Sequence, residues 1–411
     1  MNKVVVTGIG AITPLGPDFS SLMTAVFNAH SGVRALDTSW IHQLHSPLAA
    51  PILFPVEDHF TKLRRLMLDR VAQLGLIAVK EAIQQSGLNT LADEGLHGGV
   101  FWGTGMGGAH TLEQAYMDSF SHPESRPRPT TIVMFMTNST TGQIGIEHKI
   151  KGPSTTYSSA CSSSAVAIGE AFEAIRSGKI NYAIAGGSEA LLTLGVMKAW
   201  ESLQTLARPD ATRPETSCRP FAKDRSGFIL GEGAASLILE SEEHAKQRGA
   251  TILCEIVGYG NTTDASHITQ PDAGGQARAM RLALEQAQMT YQDVDYINAH
   301  GTGTQVGDLS ETRAIHEVFN DYAKQVPVSA TKALHGHLMG ATGAVEMAIA
   351  IGTLMNKTIP GTAHLFNPDP ECDLDYVSEG ARTLAKLDVV MSNSFGFGGN
   401  NAVLVAKRYS K

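Results

Sequence analysis

The sequence predicts an α/β fold made of two large halves, and three observations carry that expectation. Short apolar runs alternate with longer helix-period segments along all 411 residues, the pattern of a sheet covered by helices. Glycine is abundant, at 41 residues, and charged residues make up 18%, which fits a compact fold with many tight turns and not a disordered or fibrous chain. The alternation of the first part recurs in the second without any short tandem repeat, so the repeating units are large: 1–250 and 251–411.

Taken in order, Met1-Asn2-Lys3 and the apolar Val4-Val5-Val6 share the outline of a signal segment, but Gly8, Gly10 and Pro14 interrupt the run. It reads as a first buried strand and turn. Leu63, Met67, Val71, Leu74, Ala78 and Ala82 recur at helical spacing with Lys62, Arg64, Arg65 and Arg70 near the start, and Gly87 stands as a C-terminal stop. Residues 99–103 read as a strand and 155–159 as extended. The small apolar side chains of 162–175 face nearly all directions, which requires a buried helix. Tyr182 to Gly187 returns as a strand. The Pro-containing stretch Arg208 to Ser217 reads as an exposed loop. Strands follow at 252–258, 294–298, 327–330 and 389–392, separated by helices over 278–288 and 343–355.

A formal charge of −8 excludes a general nucleic-acid binder, which needs a basic footprint, while leaving room for a local basic patch. Four cysteines, Cys161, Cys218, Cys254 and Cys372, lack CxxC spacing; they read as reduced thiols of a cytosolic protein and not as a zinc ribbon or disulfide framework. No stretch reaches the ~18 apolar residues of a membrane span. Gly8-Ile9-Gly10 lacks the third glycine of a dinucleotide fingerprint, no GxxxxGK[ST] phosphate loop exists, and Gly186-Gly187-Ser188-Glu189-Ala190 is not a GxSxG elbow. His335-Gly336-His337 offers two imidazoles but no acidic or cysteine cluster beside them, so no metal is expected.

Four motifs carry chemistry. Cys161, in Ser158-Ser159-Ala160-Cys161-Ser162-Ser163-Ser164, sits where an extended run meets the buried helix, and a helix N-terminus favours a thiolate. By itself a cysteine among small residues is more often inert core than a nucleophile. His300, in Asn298-Ala299-His300-Gly301-Thr302-Gly303-Thr304, opens a strand-end loop in which Thr302 and Thr304 offer hydroxyls to an amide-bearing substrate arm. Lys332 and His337 share a second such loop. Asn393-Ser394-Phe395-Gly396-Phe397-Gly398-Gly399 presents backbone N–H groups suited to an oxyanion, with the Phe397 ring available to cover a nucleophile. A thiol nucleophile with two imidazoles points to covalent acyl chemistry.

The set resembles the β-ketoacyl-acyl-carrier-protein synthases of the thiolase superfamily, in their elongating Cys-His-His branch. The resemblance spans nearly the whole chain, from Val4-Val5-Val6-Thr7-Gly8 through Arg219-Pro220-Phe221 and Gly227-Phe228-Ile229-Leu230-Gly231-Glu232-Gly233 to the Phe397 motif. It implies a thiolase-like five-layered αβαβα fold from two pseudo-duplicated halves, and a homodimer whose partner helps wall the acyl pocket. It implies that Cys161 accepts the acyl chain as a thioester, with its own N–H and that of Phe397 as oxyanion hole. His300 and His337 then assist decarboxylation of the malonyl carrier protein, Lys332 supports His337, Glu346 ties the site together, and Thr302 and Thr304 bind a phosphopantetheine arm delivered by acyl carrier protein, with no tightly bound cofactor. Phe397 resembles the gate over the cysteine.

Departures from the family pattern, Asn400-Asn401, His335 and Gly303, together with Met106 and Trp200 at the expected acyl pocket, leave chain length and pathway open between fatty-acid and polyene or polyketide elongation. Two alternatives stand beside elongation: a chain-length partner subunit of a heterodimeric ketosynthase, and a thiolase or initiating synthase acting on coenzyme A thioesters. Lys62, Arg64, Arg65, Arg126 and Arg128 are expected to form a positive dock for the acidic carrier.

Overall fold

Val4–Ile12 forms a single strand with all nine residues buried, so the glycines expected to end the first run do not end it. Their role is steric: a Cβ on Gly8 would strike the carbonyl oxygen of Ala82, and one on Gly10 that of Ala78, so both let the helix Arg70–Ser86 lie directly on the strand. The computed structural model describes residues 1–90, 95–124 and 126–410. Strands of the first part are β1 (Val4–Ile12), β2 (Arg34–Ala35), β3 (Leu48–Ala49), β4 (Gly98–Gly103), β5 (Ser154–Tyr157), β6 (Tyr182–Glu189) and β7 (Gly233–Ser241). The second part supplies β8 (Cys254–Thr263), β9 (Tyr296–Asn298), β10 (Val328–Ser329), β11 (Thr358–Ile359), β12 (Arg382–Thr383), β13 (Val389–Gly396) and β14 (Asn400–Lys407).

Ten of these strands run in the order β10-β9-β13-β14-β8-β1-β7-β6-β4-β5. Outward from the middle, the two sides repeat one pattern. β1 pairs antiparallel with β7 and β7 with β6, then β6, β4 and β5 are parallel; β8 pairs antiparallel with β14 and β14 with β13, then β13, β9 and β10 are parallel. The sides join only where Val4–Val6 pair with Cys254–Ile256.

Alternation along the strands sorts the layers. Val100, Trp102, Ile184 and Ile238 pack with the helix Arg70–Ser86, whereas Phe101, Ala183, Ala185, Leu237 and Leu239 join the cluster of the helix Ser163–Arg176. On the other side Val390, Ala402 and Leu404 face the same cluster, while Met391, Val403 and Val405 pack with the helices Ala273–Ala287 and Gln305–Phe319. The helices Ser163–Arg176 and Thr342–Asn356 are therefore the middle of five layers, helix, sheet, helix, sheet, helix. This is why both are buried along nearly their whole length, the first leaving only Glu170, Glu173 and Arg176 partly exposed.

One expected element divides. The helical spacing from Leu63 to Ala82 becomes a short helix, Lys62–Arg65, and a separate one, Arg70–Ser86, ending at Gly87 with φ 62°. Asp69 makes the break: its carboxylate accepts from the Val71 N–H at 3.0 Å as an N-cap, and from the Thr111 N–H and hydroxyl at 2.8 and 2.6 Å. Leu63 and Met67 are left 73% and 44% exposed, not in the core. The Arg208–Ser217 stretch lies at the surface with one 3-10 turn, Pro214–Thr216. Among the described residues no helix is long and apolar enough to cross a membrane. Replacing Asp69 by Ala removes the cap and leaves the Val71 and Thr111 donors unpaired, so denaturant titration should show stability lower by about 2 kcal/mol.

Candidate active site

β5 brings the chain to Ala160, which adopts φ 52°, a left-handed conformation costing a residue with a side chain about 1–2 kcal/mol. Ser163 holds it: its hydroxyl donates to the Ala160 carbonyl at 2.6 Å and accepts from the Ser159 N–H at 2.9 Å. The resulting elbow, a 3-10 turn over Ala160–Ser162, turns Cys161 inward to 7% exposure just before the helix Ser163–Arg176.

The second half supplies the partners from three strand ends. His300 follows β9, Lys332 and His337 follow β10, and Phe397 follows β13. His337 Nε2 stands 3.0 Å from the Cys161 sulfur, and a ring nitrogen of each histidine lies within 4.8 Å of that sulfur and of the other. The Met339 N–H donates to His337 Nδ1 at 3.3 Å, and the Thr342 hydroxyl lies 2.9 Å from the same atom. An Nδ1 that accepts leaves the proton on Nε2, so the ring aims an N–H at the sulfur. The amide N–H groups of Phe397 and of Cys161 itself act on the thiol in the direction of the thiolate.

Lys332 is fully buried. Its ammonium donates to the His300 carbonyl and pairs with Glu346 Oε1 at 2.6 Å, so it reaches the backbone of one histidine and touches the His337 ring only through its charge. Burial and then the Lys332 charge hold His300 and His337 well below the ordinary histidine range; both rings are neutral at neutral pH. Burial pushes Glu346 up to about 7 against the pull of Lys332.

The low-pKa thiol expected from the helix N-terminus is not what the site holds. Burial pushes Cys161 up to about 11, and Lys332, the Phe397 N–H and its own N–H pull it only partly back. The 3-10 turn Ala160–Ser162 runs directly into the helix Ser163–Arg176, so it is burial that decides the direction of the shift.

A cavity of about 360 Å³ joins this cluster to the surface, lined among others by Cys161, Trp200, His300, Thr302, Thr304, His337 and Phe397. The Thr302 and Thr304 hydroxyls lie 2.9 Å apart. The Trp200 ring stacks on Phe397 at 5.9 Å and meets Phe228 edge-on at 5.5 Å, and Phe228 meets His337 edge-on at 5.1 Å. Met106 does not line the cavity; its side chain is 48% exposed. Lys62, Arg126 and Arg128 are exposed, Arg64 and Arg65 partly so, and Arg64 lies 3.6 Å from Glu147. His335, weighed as a metal partner of His337, has Nε2 2.9 Å from the Thr331 hydroxyl and Nδ1 2.7 Å from the Gly336 carbonyl, so both its nitrogens are engaged.

Sequence reasoning missed the carboxylates that fix these loops. Glu311 accepts from the His300 and Gly301 N–H groups, each at 2.8 Å, and from Asn393 at 3.0 Å. Asp308 accepts from Phe221 at 2.7 Å and Gly303 at 3.0 Å. Both lie on the helix Gln305–Phe319 and are buried, where an acidic residue reads as an ordinary solvated face; only their place one helical turn apart behind His300 marks them.

Comparison with known proteins now decides the family. A family model described as "Beta-ketoacyl synthase, N-terminal domain" matches residues 1–245, and "Beta-ketoacyl synthase, C-terminal domain" matches 253–366. The chain belongs to the β-ketoacyl synthase family. It is 40% identical to the 3-oxoacyl-(acyl-carrier-protein) synthase 2 of Staphylococcus aureus (strain COL), over 99% of this chain and 98% of that one. Among solved structures, a beta-ketoacyl synthase from Burkholderia phymatum STM815 superposes with a TM-score of 0.92 at 34% identity, covering all of both chains. A ketosynthase structure in complex with its type II PKS acyl-carrier protein and bound to the hexaketide gives 0.91 at 28%, over 99% of this chain and 100% of that one. The thiolase-like five-layered fold follows from these synthase neighbours and the layer order above.

A buried thiol of raised pKa has a visible consequence. Alkylation of Cys161 by iodoacetamide, followed by mass, should keep accelerating with pH above the ~8.5 at which a free cysteine levels off. A plateau reached by pH 7 would show a resting thiolate instead.

Proposed function

We propose that the chain is an elongating β-ketoacyl synthase, an acyltransferase that condenses a Cys161-bound acyl chain with malonyl carrier protein to give β-ketoacyl carrier protein and CO₂. The observation that carries this reading is the Cys161 sulfur 3.0 Å from the Nε2 of His337, a neutral ring, with a second neutral imidazole alongside. Acylation exchanges one thioester for another: the Cys161 proton goes to the departing pantetheine sulfur, so the step consumes no net proton and needs no permanent thiolate. In this reading the N–H groups of Cys161 and Phe397, which favour charge on the sulfur, are the donors to the thioester oxygen.

In the second half-reaction the malonyl carboxylate leaves as CO₂ and its bonding electrons become a thioester enolate. The N–H groups of His300 and His337 donate to that enolate oxygen, and the carbanion carbon attacks the Cys161 thioester, breaking its C–S bond; the sulfur leaves as a thiolate and takes up one proton from solvent to restore the thiol. Neutral imidazoles suit this work, because they donate without holding the departing carboxylate as an ion pair would. Lys332 and Glu346 act as positioning residues through the His300 backbone. Thr302 and Thr304 receive the phosphopantetheine arm of the acyl carrier protein, Phe397 covers the cysteine and Trp200 bounds the acyl chain, while Met106 lies outside the cavity of the single chain. Residues 1–250 supply the nucleophile and 251–411 the histidines. The partner is a second copy or a related subunit, and the place of action is the cytoplasm. A non-catalytic chain-length partner would have no use for a thiol so placed.

Single His300→Ala and His337→Ala proteins should still become acylated, as read by intact mass, while release of labelled CO₂ from malonyl carrier protein falls by roughly two or more orders of magnitude, the scale of a lost oxyanion donor. A variant that decarboxylates normally yet fails to load would make that histidine the cysteine's base.

Lys62, Arg64, Arg65, Arg126 and Arg128 form the carrier dock in this reading. The contact of Arg64 with Glu147 is solvent-exposed and worth little, leaving the guanidinium free to engage an acidic partner. Reversing Arg64 and Arg65 to Glu should raise KM for carrier-bound substrate roughly tenfold in low salt, less in high salt, and spare small pantetheine thioesters.

A further inference from the structure

Glu189, the last residue of β6, is a fully buried carboxylate that the reaction above does not use. Its Oε2 accepts from the Gly105 N–H at 2.6 Å and from the Gly340 N–H at 2.9 Å, and its Oε1 from the Thr104 hydroxyl at 3.1 Å and the Met106 N–H at 3.3 Å. One oxygen thus bridges two separate segments: the loop after β4 that carries Met106, and the turn Met339–Ala341 that follows His337. The segments are in direct backbone contact, because a Cβ on Gly340 would run into the Gly105 nitrogen and come within 2.6 Å of the Thr104 carbonyl carbon. Burial pushes Glu189 up to about 7, and the donors from Gly105, Gly340, Met106 and Thr104 pull it back toward the ionised form.

What this stitch holds in place is Met339. That residue sits at φ 44°, a left-handed conformation unfavourable for a long side chain, with its sulfur 4.0 Å from the Cys161 sulfur. Met339 belongs to the apolar cluster that includes Cys161, with Leu191, Leu192, Met197, Phe228 and Leu230, which in the acyl-thioester reading is the apolar surface nearest the start of the acyl chain. A strained methionine beside the nucleophile keeps its position only if its neighbours over-determine it.

We infer that Glu189 is a specificity-determining positioning residue: by tying Gly105 to Gly340 it pins Met339 against the cysteine and so sets which acyl chain length the site accepts. The inference rests on the acyl-thioester reading of Cys161 and deepens it.

The test is a panel of acyl carrier proteins of increasing saturated chain length offered to wild type, Glu189→Ala, Glu189→Gln and Gly340→Ala, with kcat/KM for condensation recorded for each. The ratio between longest and shortest chains does not depend on how much protein is folded. Glu189→Ala should change that ratio by at least about tenfold, the scale of one methylene's fit in an apolar pocket. Glu189→Gln keeps an oxygen to bridge Gly105 and Gly340 and should retain the wild-type ratio. Gly340→Ala pries the same contact apart with the carboxylate intact and should shift the ratio in the direction that Glu189→Ala does, which decides the matter even if the latter does not fold. An unchanged ratio in Gly340→Ala, or a ratio in Glu189→Gln shifted as far as in Glu189→Ala, overturns the inference. Absence of condensation by wild type with every chain would instead overturn the proposed reaction.

Discussion

Lys332 places a positive charge in the closed centre of the molecule, and the protonation states around it answer to that charge. It has no exposure, donates to the His300 carbonyl and pairs with Glu346. It adds to burial in keeping His300, His335 and His337 neutral, and it opposes burial at Cys161, Glu311 and Glu346. An ammonium in such a place is costly unless paired and hydrogen bonded. The fold meets the cost with one carboxylate and one carbonyl, and keeps the imidazoles out of the exchange. The site therefore offers two hydrogen-bond donors without offering two cations, a distinction that governs whether a malonyl carboxylate is held as an ion pair or allowed to leave.

Burial, against the pull of Lys332, pushes the Cys161 thiol above its ordinary range. A thiol reacting with a bulk electrophile profits from being ionised in advance, but a thiol exchanging with another thioester does not need to be: its proton has a destination in the departing sulfur. In the proposed reaction, burial that suppresses the free thiolate protects Cys161 from adventitious chemistry, and the N–H groups of Phe397, Cys161 and His337 act once a substrate brings charge to that spot.

Much of this was legible in the sequence, and the exceptions have physical causes. Strand and helix alternation and the apolar periodicity of 162–175 announced the layered fold, and the four motifs named residues that the structure gathers around one sulfur. The continuous helix from Leu63 to Ala82 failed because apolar spacing is blind to a single capping carboxylate, Asp69, whose second set of partners, on Thr111, lies 42 residues away. The expected low-pKa thiol at a helix end left out burial, which pushes Cys161 up and which a linear chain does not display. Glu189, Asp308 and Glu311 were invisible as functional groups because their partners are backbone N–H groups of distant loops, and no pattern in a linear chain records which amides a carboxylate will meet. Met106 and Trp200 were paired by family pattern, yet only the aromatic one reaches the cavity within a single chain.

What unites the catalytic motifs is where each begins. The elbow of Cys161 follows β5, His300 follows β9, Lys332 and His337 follow β10, and Phe397 follows β13; each of these strands takes part in the parallel pairing of its side of the sheet. Parallel strands end together, so their C-terminal loops are delivered to one edge, and in open α/β sheets that edge is where ligands bind. Here the two sides repeat the pairing pattern while the helices Ser163–Arg176 and Thr342–Asn356 pack between them. The loops of one side thus face those of the other across the central layer. The repeat gives each side an equivalent edge, and the chemistry depends on the two edges carrying different loops: a strained elbow with a thiol on one, and on the other a set of donors held rigid by buried carboxylates.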